Sequence, residues 1–202
     1  MFIKILLKLN FQCGIVAIET PAEWREKFKG YPEKQLKKRM CDVRVEKLRR
    51  TGEGCFLRQY VGKREKTVRF TTFRRNHQDK SKELEPDEAM DRNIFEKDCL
   101  EPVEYAYNNP GSLFPPAFTQ CNLHKLDTPL QLQTHAYGDF SCSGFSRKGV
   151  PGITSSMLYI GTYGSTFPWH TEDADLPSVN YMHQGCAKVW FSIPASKCWF
   201  VI

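Results

Sequence analysis

The apolar positions divide the chain into short elements. Gly14 to Ile18 is apolar and β-branched and runs into Thr20-Pro21-Ala22-Glu23-Trp24, where the threonine can cap a helix that begins at proline. This predicts a strand followed by a short helix. Residues 32–50 are rich in Glu, Lys, Arg and Leu and predict an exposed helix, limited in front by Pro32 and ended by Thr51-Gly52-Glu53-Gly54. From 55 to 75, bulky residues such as Phe56, Tyr60, Val68, Phe70 and Phe73 alternate with basic ones, which fits either a strand or a poorly periodic helix. The tract from Asn76 to Asp91 is polar without an apolar period and reads as a linker or surface loop, with a boundary near residue 80.

Beyond the tract, Asn93 to Cys99 suits one or two helical turns, and Val103 to Tyr107 a short strand before the turn Asn108-Asn109-Pro110-Gly111. Leu123 to Leu132 suits a helix. Three β-rich runs follow, Met157 to Tyr163, Ser178 to His183 and Lys188 to Ile193, separated by proline and glycine signals. The implied fold class is α+β, mainly β, with antiparallel strands in the second half.

Composition narrows the class without naming a function. The 202 residues suffice for one sizeable core or two small ones, and 41% hydrophobic with 26% charged residues is an ordinary globular balance. The formal charge of +6 is concentrated in Lys34, Lys37, Lys38, Arg39, Arg44, Lys47, Arg49 and Arg50 and then Lys63 to Arg75. Such a run suits a solvated face or an acidic partner such as DNA. The eight cysteines are widely spaced with no C-x-x-C pair, so a reduced intracellular chain is expected rather than a disulfide framework. Met1 to Phe11 is apolar, but Lys4 and Lys8 interrupt it, and the sequence reads as having neither a secretory signal nor a membrane span.

Chemistry gathers at Phe167-Pro168-Trp169-His170-Thr171-Glu172-Asp173. His170 and Glu172 are two apart, so on an extended strand both side chains leave one face and can meet one cation. An imidazole and a carboxylate supply two ligands of the two-His-one-carboxylate set that holds Fe(II) with open positions. By itself the H-x-E spacing also fits a surface histidine beside an acidic cluster.

The surrounding letters resolve that ambiguity. Between Gly152 and Pro194, the residues Leu158-Tyr159-Ile160-Gly161, Thr166-Phe167, Trp169 to Asp173, Asp175-Leu176, Ser178 to Tyr181, His183 and Lys188-Val189-Trp190 closely resemble the JmjC domains of JmjN-containing histone lysine demethylases. Gly14-Ile15-Val16 with Pro21 to Trp24 is similar to the end of the JmjN motif, Gly54 to Arg74 to the segment that follows it, and Tyr105 to Leu113 to the strand and turn entering the barrel. The resemblance implies that 1–12 is unassigned, 13–75 is a partial JmjN-like segment with the region after it, 76–92 a linker, and 93–202 the front part of a JmjC domain, an incomplete double-stranded β-helix.

It also implies a chemistry. His170 and Glu172 would hold Fe(II), Lys188 would pair with the distal carboxylate of 2-oxoglutarate, Tyr105 and Asn180 would complete the cosubstrate's hydrogen bonds, and Phe167 and Trp190 would flank it. Plain core packing is the alternative for those two aromatics. A methylated lysine of a histone tail would meet Gly152, Tyr159, Glu172 and Asn108, although Pro151-Gly152 is also a turn signal in its own right. The implied reaction is oxidative N-demethylation in the nucleus, on nucleosomal chromatin. His183 matches a family position that is not a ligand; the second iron histidine and the family's structural zinc ligands are expected beyond Ile202, which reads as a fragment. A catalytically inactive chromatin module and a JmjC hydroxylase are the competing readings.

Overall fold

The computed structural model describes residues 14–52, 55–62, 65–78, 100–115, 152, 156–175, 178–194 and 196–197. In chain order these form α1 (Ala22–Phe28), α2 (Tyr31–Lys37), β1 (Met40–Gly52), β2 (Cys55–Tyr60), β3 (Lys66–Arg69), α3 (Phe70–His77), β4 (Val103–Pro110), β5 (Met157–Ile160) and a 3-10 turn at Asp173–Asp175. Among the described residues, antiparallel sheet is the largest share of the regular structure, with three helices of about two turns, in agreement with a mainly β, α+β chain.

Strand β1 is the trunk. Its first residues pair with β3 (Cys41 with Val68), its middle with β4 (Arg44 with Tyr105) and its last part with β2 (Leu48 with Arg58), all antiparallel. On the far side β4 pairs with β5, Ala106 opposite Ile160. The expected helix over 32–50 is therefore corrected: only Tyr31–Lys37 is helical, and the rest is strand. Charge-rich composition suggested a helix, but Cys41 and Val43 alternate as buried positions with exposed Met40 and Asp42, and three partner strands outweigh the weak intrinsic propensity.

Period-two alternation sorts the sheet into two faces. Cys41 and Val43 of β1, Ala106 of β4 and Leu158 of β5 join Leu36, Phe70, Phe73 and Leu113 in one core, with Val68 and Ile160 packed against it. Helices this short are marginal alone, so α2 and α3 are held by what they bury: Pro32 and Leu36 from one, Phe70 and Phe73 from the other. Burial raises the thiol pKa of Cys41, consistent with an inert core residue.

Other expectations divide. Helix α1 starts directly after Pro21 as read, but Pro21 rather than Thr20 stands at its cap and no side chain caps it. Residues 14–18 have no strand pairing, and Ile15, Val16 and Ile18 are exposed, because no partner strand reaches them among the described residues. The open segment 55–75 resolves into β2, β3 and α3, whose last residues overlap the start of the expected linker. Strand β4 runs through the turn read at 108–110, with a register shift between Ala106 and Asn109. Of the three late β-runs, only Met157–Ile160 forms a strand. Neither 178–183 nor 188–193 pairs with another strand among the described residues. The helical readings at 93–99 and 123–132, the rest of the linker and the apolar start lie outside the described residues. Among those described, no helix is long and apolar enough to cross a membrane.

The β4 irregularity is stitched by one side chain. Asn109, 2% exposed, accepts from the Asp42 backbone N–H at 2.8 Å and donates to the Asp42 and Tyr107 carbonyls, both at 3.2 Å. Asn109 thus supplies the bonds that the ladder drops. Replacing it with leucine keeps the volume but strands a buried donor and two acceptors. Asn109→Leu should lower stability by about 1–3 kcal/mol, read as a shift of the urea unfolding midpoint at unchanged slope; an unchanged midpoint would contradict this role.

Candidate active site

The sheet face opposite the core carries the chemistry. On β4, Tyr105 and Tyr107 flank core residue Ala106, and on β5, Tyr159 stands between Leu158 and Ile160. Tyr105 is 3% exposed, and its ring meets Phe167 edge-on at 5.5 Å between centroids. Tyr159 meets the same Phe167 at 5.5 Å, also edge-on. Phe167 is thus the hub, and the His170 ring lies 6.2 Å beyond it.

Lys188 completes this cluster. Its Nζ lies 4.1 Å from the Phe167 ring centroid, 4.3 Å from Trp190 and 5.9 Å from Tyr159. Aromatic faces stabilise an ammonium but do not replace its hydration, and burial lowers the Lys188 pKa to about 8. Among the described residues no carboxylate lies within ion-pair distance of it. A half-buried cation ringed by aromatic carbon is electrostatically suited to an anion.

The His170 and Glu172 pair is arranged differently from the extended strand the spacing suggested. Residues 165–172 form no strand, and His170 and Glu172 are both exposed. The His170 Nδ1 sits 2.7 Å from the Pro168 carbonyl oxygen. A carbonyl only accepts, so Nδ1 carries the proton and Nε2 keeps its lone pair for a metal. Glu172 lies near Tyr159: burial first, then the Glu172 and Asp173 charges, raise the Tyr159 pKa and keep its hydroxyl neutral. Burial likewise keeps Tyr105 protonated. No group of three His, Cys, Asp or Glu side chains gathers for a metal among the described residues. His170 and Glu172 are donors of the types that suit Fe(II), and the Lys188 ammonium among its aromatic rings suits the carboxylate of an oxoacid.

The other sequence candidates lie at the margins. Asn180 is exposed, with no hydrogen bond to the cluster among the described residues. Asn108 is exposed at the β4 irregularity with φ 54°, a left-handed conformation that asparagine tolerates better than most residues. Gly152 has φ 83° and open space where a side chain would point, so the backbone turn alone explains glycine there. His183 packs away from the dyad, its ring 4.7 Å from those of Phe114 and Tyr181.

Sequence reasoning missed one polar element beside this cluster. Glu46 of β1, 2% exposed, faces Arg58 of β2 at 3.6 Å, and Arg58 donates to the Thr166 carbonyl at 3.2 Å. The available signal was an acid at a central strand position diagonal to an arginine: Glu46 pairs with Tyr60, two residues from Arg58.

The comparisons agree with the geometry. Residues 157–199 match the family model described as "JmjC domain, hydroxylase". The segment holding Tyr159, Phe167, His170, Glu172 and Lys188 is thus the part of this chain that is similar to the JmjC family. Several proteins similar to this chain bear the name lysine-specific demethylase. The chain is 38% identical to Lysine-specific demethylase JMJ705 of Oryza sativa subsp. japonica over 104 residues, 46% of this chain and 8% of the relative. It is 34% identical to Lysine-specific demethylase REF6 of Arabidopsis thaliana over 101 residues, 46% and 7% respectively. With Probable lysine-specific demethylase 4F of Homo sapiens the identity is 31% over 147 residues, 71% of this chain and 22% of the relative. The chain thus spans less than a quarter of the length of these relatives.

The buried position of His183 sets an acid limit. Desolvation lowers its pKa from 6.5 to about 4, so between those values the unfolded chain takes up a proton that the folded chain refuses. Its contribution is intact above pH 6.5 and lost as pH falls toward 4. His183→Phe should flatten the fall of the melting temperature across that window, as followed by circular dichroism; an equally steep fall in both proteins would refute the assignment.

Proposed function

We propose that this chain is the front part of an Fe(II)- and 2-oxoglutarate-dependent histone lysine demethylase, acting on a methylated lysine of a histone tail in nuclear chromatin. The observation that carries the reading is the Lys188 ammonium, boxed by Phe167, Trp190 and Tyr159 and one ring away from His170. In this reading His170 Nε2 and Glu172 hold the metal, and Lys188 takes the distal carboxylate of the oxoacid, a salt link that burial strengthens. When bound, Fe(II) and 2-oxoglutarate supply the oxidising power that converts an N-methyl group to formaldehyde.

The chain's own residues bind, orient and exclude. Phe167 and Trp190 shield the oxoacid from water, while Tyr105 and Asn180 offer it a neutral hydroxyl and an amide. Tyr159 and Glu172 stand together beside the metal segment and, with Gly152 and Asn108, give the methylated ammonium oxygen and aromatic contacts. The basic face of β1, with Lys47 and Arg49 exposed, suits nucleosomal DNA. Helix α1 directly after Pro21 supports the JmjN-like reading of the first segment, as does the human relative, whose similarity covers 71% of the chain.

A second reading, a chromatin-binding module without turnover, is favoured by one observation: no group of three His, Cys, Asp or Glu side chains gathers among the described residues. Incubating the chain with Fe(II), 2-oxoglutarate, ascorbate and trimethylated histone peptides separates the readings by peptide mass. Demethylation abolished by His170→Ala supports the first. Intact peptide binding without mass change supports the second, and oxygen gained without formaldehyde indicates a hydroxylase.

The oxoacid site has its own test. Lys188→Met should weaken 2-oxoglutarate binding by roughly 30-fold or more, about 2 kcal/mol, as expected for one partner of a desolvated charge pair. Wild-type affinity should hold at neutral pH and decline as pH rises beyond about 8, where the free ammonium loses its proton. Calorimetry showing equal affinity for both proteins would remove Lys188 from the site.

A further inference from the structure

Resting on the metal and oxoacid reading above, we infer that Arg58, held by Glu46, is a positioning residue that sets the Phe167 to Glu172 segment from the amino-terminal sheet. Arg58 belongs to β2, yet its guanidinium donates to the carbonyl of Thr166, 108 residues further along the chain. Thr166 immediately precedes Phe167, the ring that touches Tyr105, Tyr159, Lys188 and His170. The 165–172 run has no strand pairing, so its backbone position rests on such isolated ties.

Three contacts fix the direction of the guanidinium. Its carbon lies 5.9 Å from the Tyr60 ring centroid and 5.5 Å from that of Tyr107, and those two rings are stacked with their hydroxyls hydrogen-bonded at 2.6 Å. The Glu46 carboxylate approaches from the third side at 3.6 Å. Both Glu46 oxygens are buried without a hydrogen-bond partner. Leaving a carboxylate in that condition is costly, and the only compensation among the described residues is the field of Arg58 and Arg44. A purely stabilising strand pair would satisfy its own oxygens; this one leaves them bare and directs the arginine's donor to the Thr166 carbonyl instead. Polar geometry spent on a distant loop is how a scaffold holds a site in register.

The test uses the full chain and two readouts independent of turnover. Hydrogen exchange by mass spectrometry compares peptides covering 164–172 with those covering 103–107 in β4, and electron paramagnetic resonance of free Mn(II) reports metal affinity. Arg58→Gln should speed exchange in 164–172 by roughly tenfold and weaken Mn(II) binding by about the same factor, the size of coupling seen between contacting residues, while 103–107 stays protected. Arg58→Lys, which retains the charge beside Glu46, should restore most of the protection. If Arg58→Gln does not fold because Glu46 is left alone, the paired Glu46→Gln/Arg58→Gln variant removes both charges and should show the same local effect. Unchanged exchange in 164–172, or equal acceleration in 103–107, would overturn the inference. His170→Ala is the control for the underlying reading: if it leaves Mn(II) binding intact, the metal assignment fails while the exchange data still decide the tie.

Discussion

One strand sets the terms for everything else. β1 gives its backbone in succession to β3, β4 and β2, so its register fixes which residues of four strands share a face. A slip by one residue would send Cys41 and Val43 to the polar side and Arg44 and Glu46 into the apolar core. The correct register places every tyrosine and arginine of the Tyr60, Tyr107, Arg44, Arg58 cluster on one side. Fold stability and site geometry therefore share a single constraint.

Three charges on that side, Arg44, Lys188 and Glu46, are met differently. Arg44 is met by Glu65 and by the Tyr107 hydroxyl, and its charge is shared among partners. Lys188 has only aromatic rings around it among the described residues, and Glu46 has charges nearby but no donors. Interiors tolerate such deficits where a ligand or a mobile partner removes them. Their location beside one short run, Thr166 to Glu172, is what distinguishes this face from an ordinary solvated sheet.

Much of the aromatic cluster around Lys188 was legible in the sequence, and less of the fold. Tyr105, Tyr159, Phe167, Lys188 and Trp190 were singled out from resemblance and do converge, because alternation on β4 and β5 sends the tyrosines to the same side. Local signals also gave α1, the start of β4 and β5. β1 was misread because Glu, Lys and Arg fill its exposed positions, and a charged strand edge has the same composition as a solvated helix. The partners that decide between them are more than fifty residues away in β4. Arg58 was invisible for a related reason: its acceptor is a backbone carbonyl, which no side-chain motif encodes.

The aromatic box around Lys188 has a corollary for reactivity. An amine whose proton affinity has dropped from 10.5 to about 8 is a free base at neutral pH roughly a few hundred times more often than a surface lysine. Lys188 would therefore be a preferred target for acylating and carbonyl reagents, and a carboxylate seated against it would quench that nucleophilicity by restoring the proton. The same surroundings that suit Lys188 to a carboxylate make it chemically vulnerable without one.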